Sequence, residues 1–187
     1  MNGFPILPVN GFRLMSPRRR RRPLMSLWLW AGGPPAILLG LAVCADLSPS
    51  PLLVNETKSV PAGLYLRQLG EQPQLGSIVA VHQPSAAREV LADLGVDPDM
   101  ALLKRVAALP GQAVCSDGRR VVTPLGAHAI NTFSDRPGAP RPWLGCGPLG
   151  PDEFFLLGDT AWSYDSRYFG PVRADGLIGV YQAMVTW

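Results

Sequence analysis

Only two lysines occur in the 187-residue chain, Lys58 and Lys104, and the second stands in Leu102-Leu103-Lys104-Arg105-Val106. As a strand, this segment alternates faces, putting Lys104 with Leu102 and Val106 and turning Arg105 the other way with Leu103. An amine on an apolar face loses solvation, which disfavours its charged form. An ordinary lysine, titrating near about 10.4, is a useless base at neutral pH. A desolvated one takes a proton from a serine hydroxyl. The plainer alternative is an edge lysine whose amine reaches water.

Two further segments gather polar side chains. Asn55-Glu56-Thr57-Lys58-Ser59-Val60-Pro61-Ala62-Gly63-Leu64-Tyr65 sets small hydroxyl residues before a proline and a glycine. Turn chemistry alone accounts for that composition. Lys58 adjoins Ser59, and on extended backbone it points away from its neighbour into solvent. Leu157-Gly158-Asp159-Thr160-Ala161-Trp162-Ser163-Tyr164-Asp165-Ser166-Arg167-Tyr168-Phe169-Gly170 holds two acids and an arginine between glycines. Taken alone, it reads as a hydrogen-bonded loop held by an Asp–Arg pair.

The elements that must position these residues are short strands. Twenty glycines and twenty prolines disfavour a helical bundle and suit strands joined by turns. The expected strands are Gly63–Arg67, Ser77–His82, Ala101–Leu109, Ala113–Cys115, Arg120–Thr123, His128–Asn131, Glu153–Leu157 and Leu177–Thr186. Ser85–Leu94 reads as the one soluble helix, with Ser85 as N-cap and Gly95 as stop. Ser134 to Pro151, dense in Gly and Pro, reads as a loop. The fold class expected is mainly β: a small antiparallel domain behind one N-terminal membrane helix.

That helix is read from residues 1–46. Residues 1–22 hold six arginines (Arg13 and Arg18–Arg22) and no acid. The formal charge of +3 therefore resides in a tail, and the remaining 11 basic and 14 acidic residues give the body −3. A body of that sign has no footprint for nucleic acid. Leu24 to Ala45 contains no charge and is long enough to cross a bilayer. The arginines beside it favour the cytoplasmic side. The expected layout is a basic cytoplasmic tail (1–22), a transmembrane anchor (23–46) and an exported domain (47–187) on the periplasmic side of the inner membrane. Gly32-Gly33-Pro34-Pro35 interrupts the run, as membrane helices tolerate. A cleavable signal peptide ending at Val43-Cys44-Ala45 is the competing reading.

Cys44 falls in the anchor, leaving Cys115 and Cys146 for the exported body. In an oxidising compartment they are a possible disulfide, with two independent thiols as the alternative. The only histidines, His82 and His128, lack metal-ligand spacing.

The three polar segments, in this order, resemble the signal peptidase I family: a serine in a turn after an anchor, a lysine on an apolar strand before Leu109-Pro110-Gly111, and a Gly-Asp…Asp-Ser-Arg-Tyr-Phe-Gly loop. Asn55…Ser59-Val60-Pro61-x-Gly63-Leu64-Tyr65 looks more like the TraF-type conjugal transfer peptidases than leader peptidases, which usually have Met after the serine. The resemblance implies a Ser–Lys dyad, with Ser59 as nucleophile and Lys104 as general base. Thr57 and the Ser59 amide would bind the oxyanion, Ser163 would orient the lysine, and Asp159, Asp165 and Arg167 would brace the site. The last loop is one residue shorter than the common leader-peptidase form, with Ala161-Trp162 replacing an Arg-Asp-type pair.

The implied function is a membrane-anchored serine endopeptidase that removes the leader of an exported precursor, such as a propilin or mating-channel subunit. The family implies small side chains just before the cut, and some TraF-type relatives close a ring instead of hydrolysing. No metal or cofactor is required. The bilayer, the precursor and conjugative transfer or type IV secretion components are the expected partners. The alternatives are a general signal peptidase I and a non-catalytic assembly factor of pilus or secretion machinery.

Overall fold

The computed structural model describes residues 50–131 and 139–187. The tail, the apolar run and Cys44 lie outside the described residues. Among those described, no helix is long and apolar enough to cross a membrane.

The fold is mainly antiparallel β. The larger sheet contains β1 (Leu52–Asn55), β2 (Gly63–Gln68), β3 (Ile78–Val81), β4 (Leu102–Ala108), β9 (Glu153–Leu157), β10 (Val172–Arg173) and β11 (Leu177–Thr186). Its order is β1-β2-β11-β3-β4-β9-β10. The smaller sheet, β7-β6-β5-β8, is built from β5 (Ala113–Ser116), β6 (Arg120–Thr123), β7 (Gly126–Ala129) and β8 (Gly145–Pro148). Helix α1 (Ser85–Asp93) joins β3 to β4, and the short α2 (Ser166–Phe169) follows β9.

The core explains why β9 is apolar throughout. Its sequence Glu-Phe-Phe-Leu-Leu is apolar on both faces, as a strand covered on both sides must be. Phe154 and Leu156 pack with Val79, Val81, Val106, Val172 and Val180. Phe155 and Leu157 turn the other way, joining Val114 and Val121 of the smaller sheet. A third cluster, Val60, Tyr65, Ala80, Leu103 and Tyr181, lies under the Ser59 turn.

Three expectations need correction. Ser85 is not the N-cap of α1: Pro84 holds that place and no side chain caps the helix. Gly95 does end the helix, with φ +73°, a conformation other residues adopt at a cost. β7 spans Gly126–Ala129 rather than starting at His128, because Thr123 pairs with Gly126 across a tight Pro124-Leu125 turn. The Gly- and Pro-rich stretch expected as a loop contains β8, whose Gly-Cys-Gly-Pro has no intrinsic preference for a strand. Cys146 stands opposite Cys115 in the ladder, and the two are joined in a disulfide. Tertiary pairing, not local propensity, makes β8. β1, β10 and α2 were not expected; each has four residues or fewer.

Candidate active site

The Ser59 turn is stitched by Asn55 at the end of β1. Its buried side-chain amide donates to the carbonyls of Thr57 (3.0 Å), Val60 (2.9 Å) and Pro61 (3.1 Å). Its Oδ1 accepts from the Thr57 amide (3.1 Å) and the Thr57 hydroxyl (2.7 Å). Tyr65, buried under the turn, donates its hydroxyl to the Pro61 carbonyl at 2.6 Å. The Asp159 amide donates to the Ser59 carbonyl at 2.6 Å. Ser59 is thus held from its own turn, from below and from the 157–170 loop.

Lys104 reaches that serine from β4. Its Nζ lies 2.7 Å from Ser59 Oγ and 2.8 Å from Ser163 Oγ, and the two hydroxyls are 3.2 Å apart. The side chain is 3% exposed, so the snorkelling alternative fails. Burial drives the Lys104 amine down to about 8; the Asp165 charge opposes that shift and Arg167 adds to it. A lysine with that affinity is roughly one-tenth neutral at pH 7, far more than an unperturbed lysine.

The loop carrying Ser163 is braced by a buried ion pair. Asp165 and Arg167 are 0% and 3% exposed, and every polar atom of the pair is engaged. Asp165 Oδ2 accepts from Arg167 Nη2 (2.6 Å) and from the Gly158 amide (2.8 Å). Oδ1 accepts from Arg167 Nε (2.8 Å) and the Arg167 amide (3.1 Å). The guanidinium also donates to the Thr160 and Ala129 carbonyls. A buried pair is tolerable when its remaining lone pairs and protons are satisfied in this way. Gly158 closes the arrangement: a Cβ there would fall on the Ser163 side chain.

The remaining sequence candidates divide. Asp159 makes a two-pronged pair with Arg105, Nε to Oδ1 at 2.7 Å and Nη2 to Oδ2 at 2.8 Å, on the far face of β4 from Lys104. Thr57 lines the same cleft as Ser59, but its hydroxyl proton is given to Asn55. Lys58 is exposed. Cys115 and Cys146 lie in the smaller sheet and belong to its architecture. A cleft of about 810 Å³ opens at Ser59 and Lys104 and runs along Leu53, Leu103, Ile178 and Tyr181.

The family model described as "Signal peptidase, peptidase S26" matches residues 33–187. The chain belongs to this family. The conjugal transfer protein TraF of Agrobacterium fabrum is 36% identical over 145 residues, covering 72% of this chain and 82% of that protein. The plasmid transfer protein TraF of Escherichia coli is 31% identical over 172 residues, covering 83% and 92%. Signal peptidase I V of Bacillus subtilis is 29% identical over 96 residues, covering 42% and 54%. This signal peptidase S26 protein is therefore related to TraF proteins over most of its length.

For this S26 chain, sequence reasoning assigned no role to Asn55, Arg105 or Gly158. Asn55 follows an apolar strand and precedes a turn, a place where Asn commonly bonds to nearby backbone. Arg105 was visible only as the residue facing away from Lys104. Gly158 entered only as the glycine of the Gly-Asp motif, with no role of its own.

Proposed function

We propose that the protein is a serine endopeptidase using Ser59 and Lys104 as a dyad, anchored by residues 23–46 with its β domain on the periplasmic side. Its substrate is the leader of an exported precursor, a conjugative pilin or mating-channel subunit. The observation that carries this reading is the 2.7 Å contact between Ser59 Oγ and a buried Lys104 Nζ. An assembly factor has no use for a desolvated amine held against a serine.

The neutral amine of Lys104 takes the Ser59 proton as Oγ attacks the scissile carbonyl. Ser163 Oγ, 2.8 Å from Nζ, keeps the amine aimed through this step, and the Asp165 charge favours the ammonium that forms. The Ser59 amide and the Thr57 hydroxyl serve the oxyanion, the latter after exchanging Asn55 Oδ1 for the new acceptor. Lys104 then returns the proton to the leaving amine. Water hydrolyses the acyl-enzyme on Ser59, or the substrate's own amine displaces it to close a ring.

The test is co-expression with the pilin-like precursor of the same genetic neighbourhood, following its mass with the wild type and Ser59→Ala. A mature mass formed only with the wild type supports the reading. A further loss of about 18 Da, the mass of one water in an acyl transfer to an amine, marks ring closure. Equal maturation in both strains contradicts the peptidase.

A further inference from the structure

Val81 and Leu102 are partners in the β3–β4 ladder. Antiparallel neighbours need only a tight hairpin between them. Here residues 82–101 intervene, carrying α1 and a clamped return. Buried Gln83 donates its side-chain amide to the Asp97 carbonyl (2.6 Å) and the Met100 carbonyl (3.2 Å). The Val96 amide bonds the Leu91 carbonyl at 2.9 Å. These bonds fix the insert as a wall, and its position explains its presence. Leu91, Val96 and Met100 line the same cleft that Ser59 and Lys104 open into.

The insert stands away from the dyad. Back along the chain from Lys104 to Met100 the span is about 13 Å, and along the opposite wall Asn55 to Ser50 spans about 16 Å. An extended chain cut at Ser59 therefore brings to the insert a side chain four or five residues from the cleaved bond. What meets it is apolar: Leu91, Val96, Met100 and Leu53. Met100, 51% exposed, is flexible enough to fit side chains of several shapes. Glu56 and Asp99 stand at the same cleft and disfavour an acidic substrate residue.

We infer that residues 82–101 build a distal specificity subsite for one apolar side chain of the substrate, four or five residues from the scissile bond. This rests on the peptidase reading of the cleft.

The test uses full-length enzyme and quenched peptides with Ala just before the cut, carrying Leu, Ala or Asp at each successive position on both sides. The wild type is expected to prefer Leu to Ala by about tenfold in kcat/KM at one position in the predicted range, and to disfavour Asp there. Met100→Ala and Val96→Ala, which leave the buried Leu91 in place, reduce that preference while changing the all-Ala peptide by less than about twofold. Met100→Trp fills the site and removes the preference. A loss equal for every peptide, or a preference untouched by all three variants, overturns the inference. Peptide binding to Ser59→Ala, followed by fluorescence anisotropy, separates the two claims. Leu-selective binding lost in Met100→Ala, beside a wild type that cleaves nothing, upholds the subsite and defeats the peptidase. Binding without selectivity overturns the subsite.

Discussion

Gly158 lies so close to Ser163 that a single added methyl group would occupy the space of the Ser163 side chain. The same Cβ would stand 3.0 Å from the Ser59 carbonyl. The smallest possible side chain at 158 thus pushes on two residues around Lys104 at once. Gly158→Ala is expected to lower kcat/KM by about 10²-fold, the cost of misplacing reacting groups by roughly an ångström. The loss should persist when rates are corrected for folded fraction by thermal melting. Full activity in a folded Gly158→Ala enzyme would show that Ser163 does not hold the amine.

Burying Lys104 costs stability while it is charged. Its folded-state pKa, near 8, lies below the unfolded value of 10.5, so between these limits the unfolded chain binds more protons. Stability contributed by this group therefore rises with pH across that window. Below pH 8 the burden is full, about 3 kcal/mol from the size of the shift. Lys104→Met removes it, so the variant should be the more stable protein at pH 7 and lose that advantage toward pH 10.5. Denaturant melts of both proteins across this range measure the difference.

Asp165 neutralises a buried arginine, and removing it leaves Arg167 without its partner. Asp165→Ala is expected to cost about 3–5 kcal/mol. Asp165→Ala with Arg167→Met should recover part of that stability without recovering activity, since the Gly158 amide would still lack its acceptor. Melting curves and peptide cleavage, measured together, separate the two effects.

The Cys115–Cys146 bond closes a 31-residue separation within the smaller sheet, away from the dyad. Cys115→Ala/Cys146→Ala is expected to lower stability by about 3–4 kcal/mol in the chain-entropy account. At temperatures where it stays folded, kcat/KM should stay within about twofold of wild type. A free thiol pair in the oxidised protein would instead leave the melting temperature unmoved by reductant.

Much of the site was legible because its chemistry sits in rare residue types. With only two lysines to choose from, alternation made Lys104 a candidate and the ordered motifs chose it, while the Asp-Ser-Arg run announced its own ion pair. Strands such as β4, β9 and β11 were legible from mostly apolar stretches of five or more residues. What escaped is what depends on distant partners. β8 exists through Cys115, and Asn55 matters through bonds to a turn that only the fold closes. Gly158 matters through a side chain five residues away that returns to meet it. Asp159 shows the reverse: its type was noticed in the sequence, but its partner, Arg105, appears only once β4 and the loop stand side by side.

The central claim is that neutral Lys104 is the base for Ser59, and the pH dependence of kcat/KM tests it most directly. For the wild type, activity should rise with pH through a single inflection near 8, where the amine loses its proton. Lys104→Ala should be at least about 10³-fold slower at every pH and have no such inflection. An inflection near 6.5, or a Lys104→Ala enzyme that keeps its rate, would contradict the dyad and point to another base.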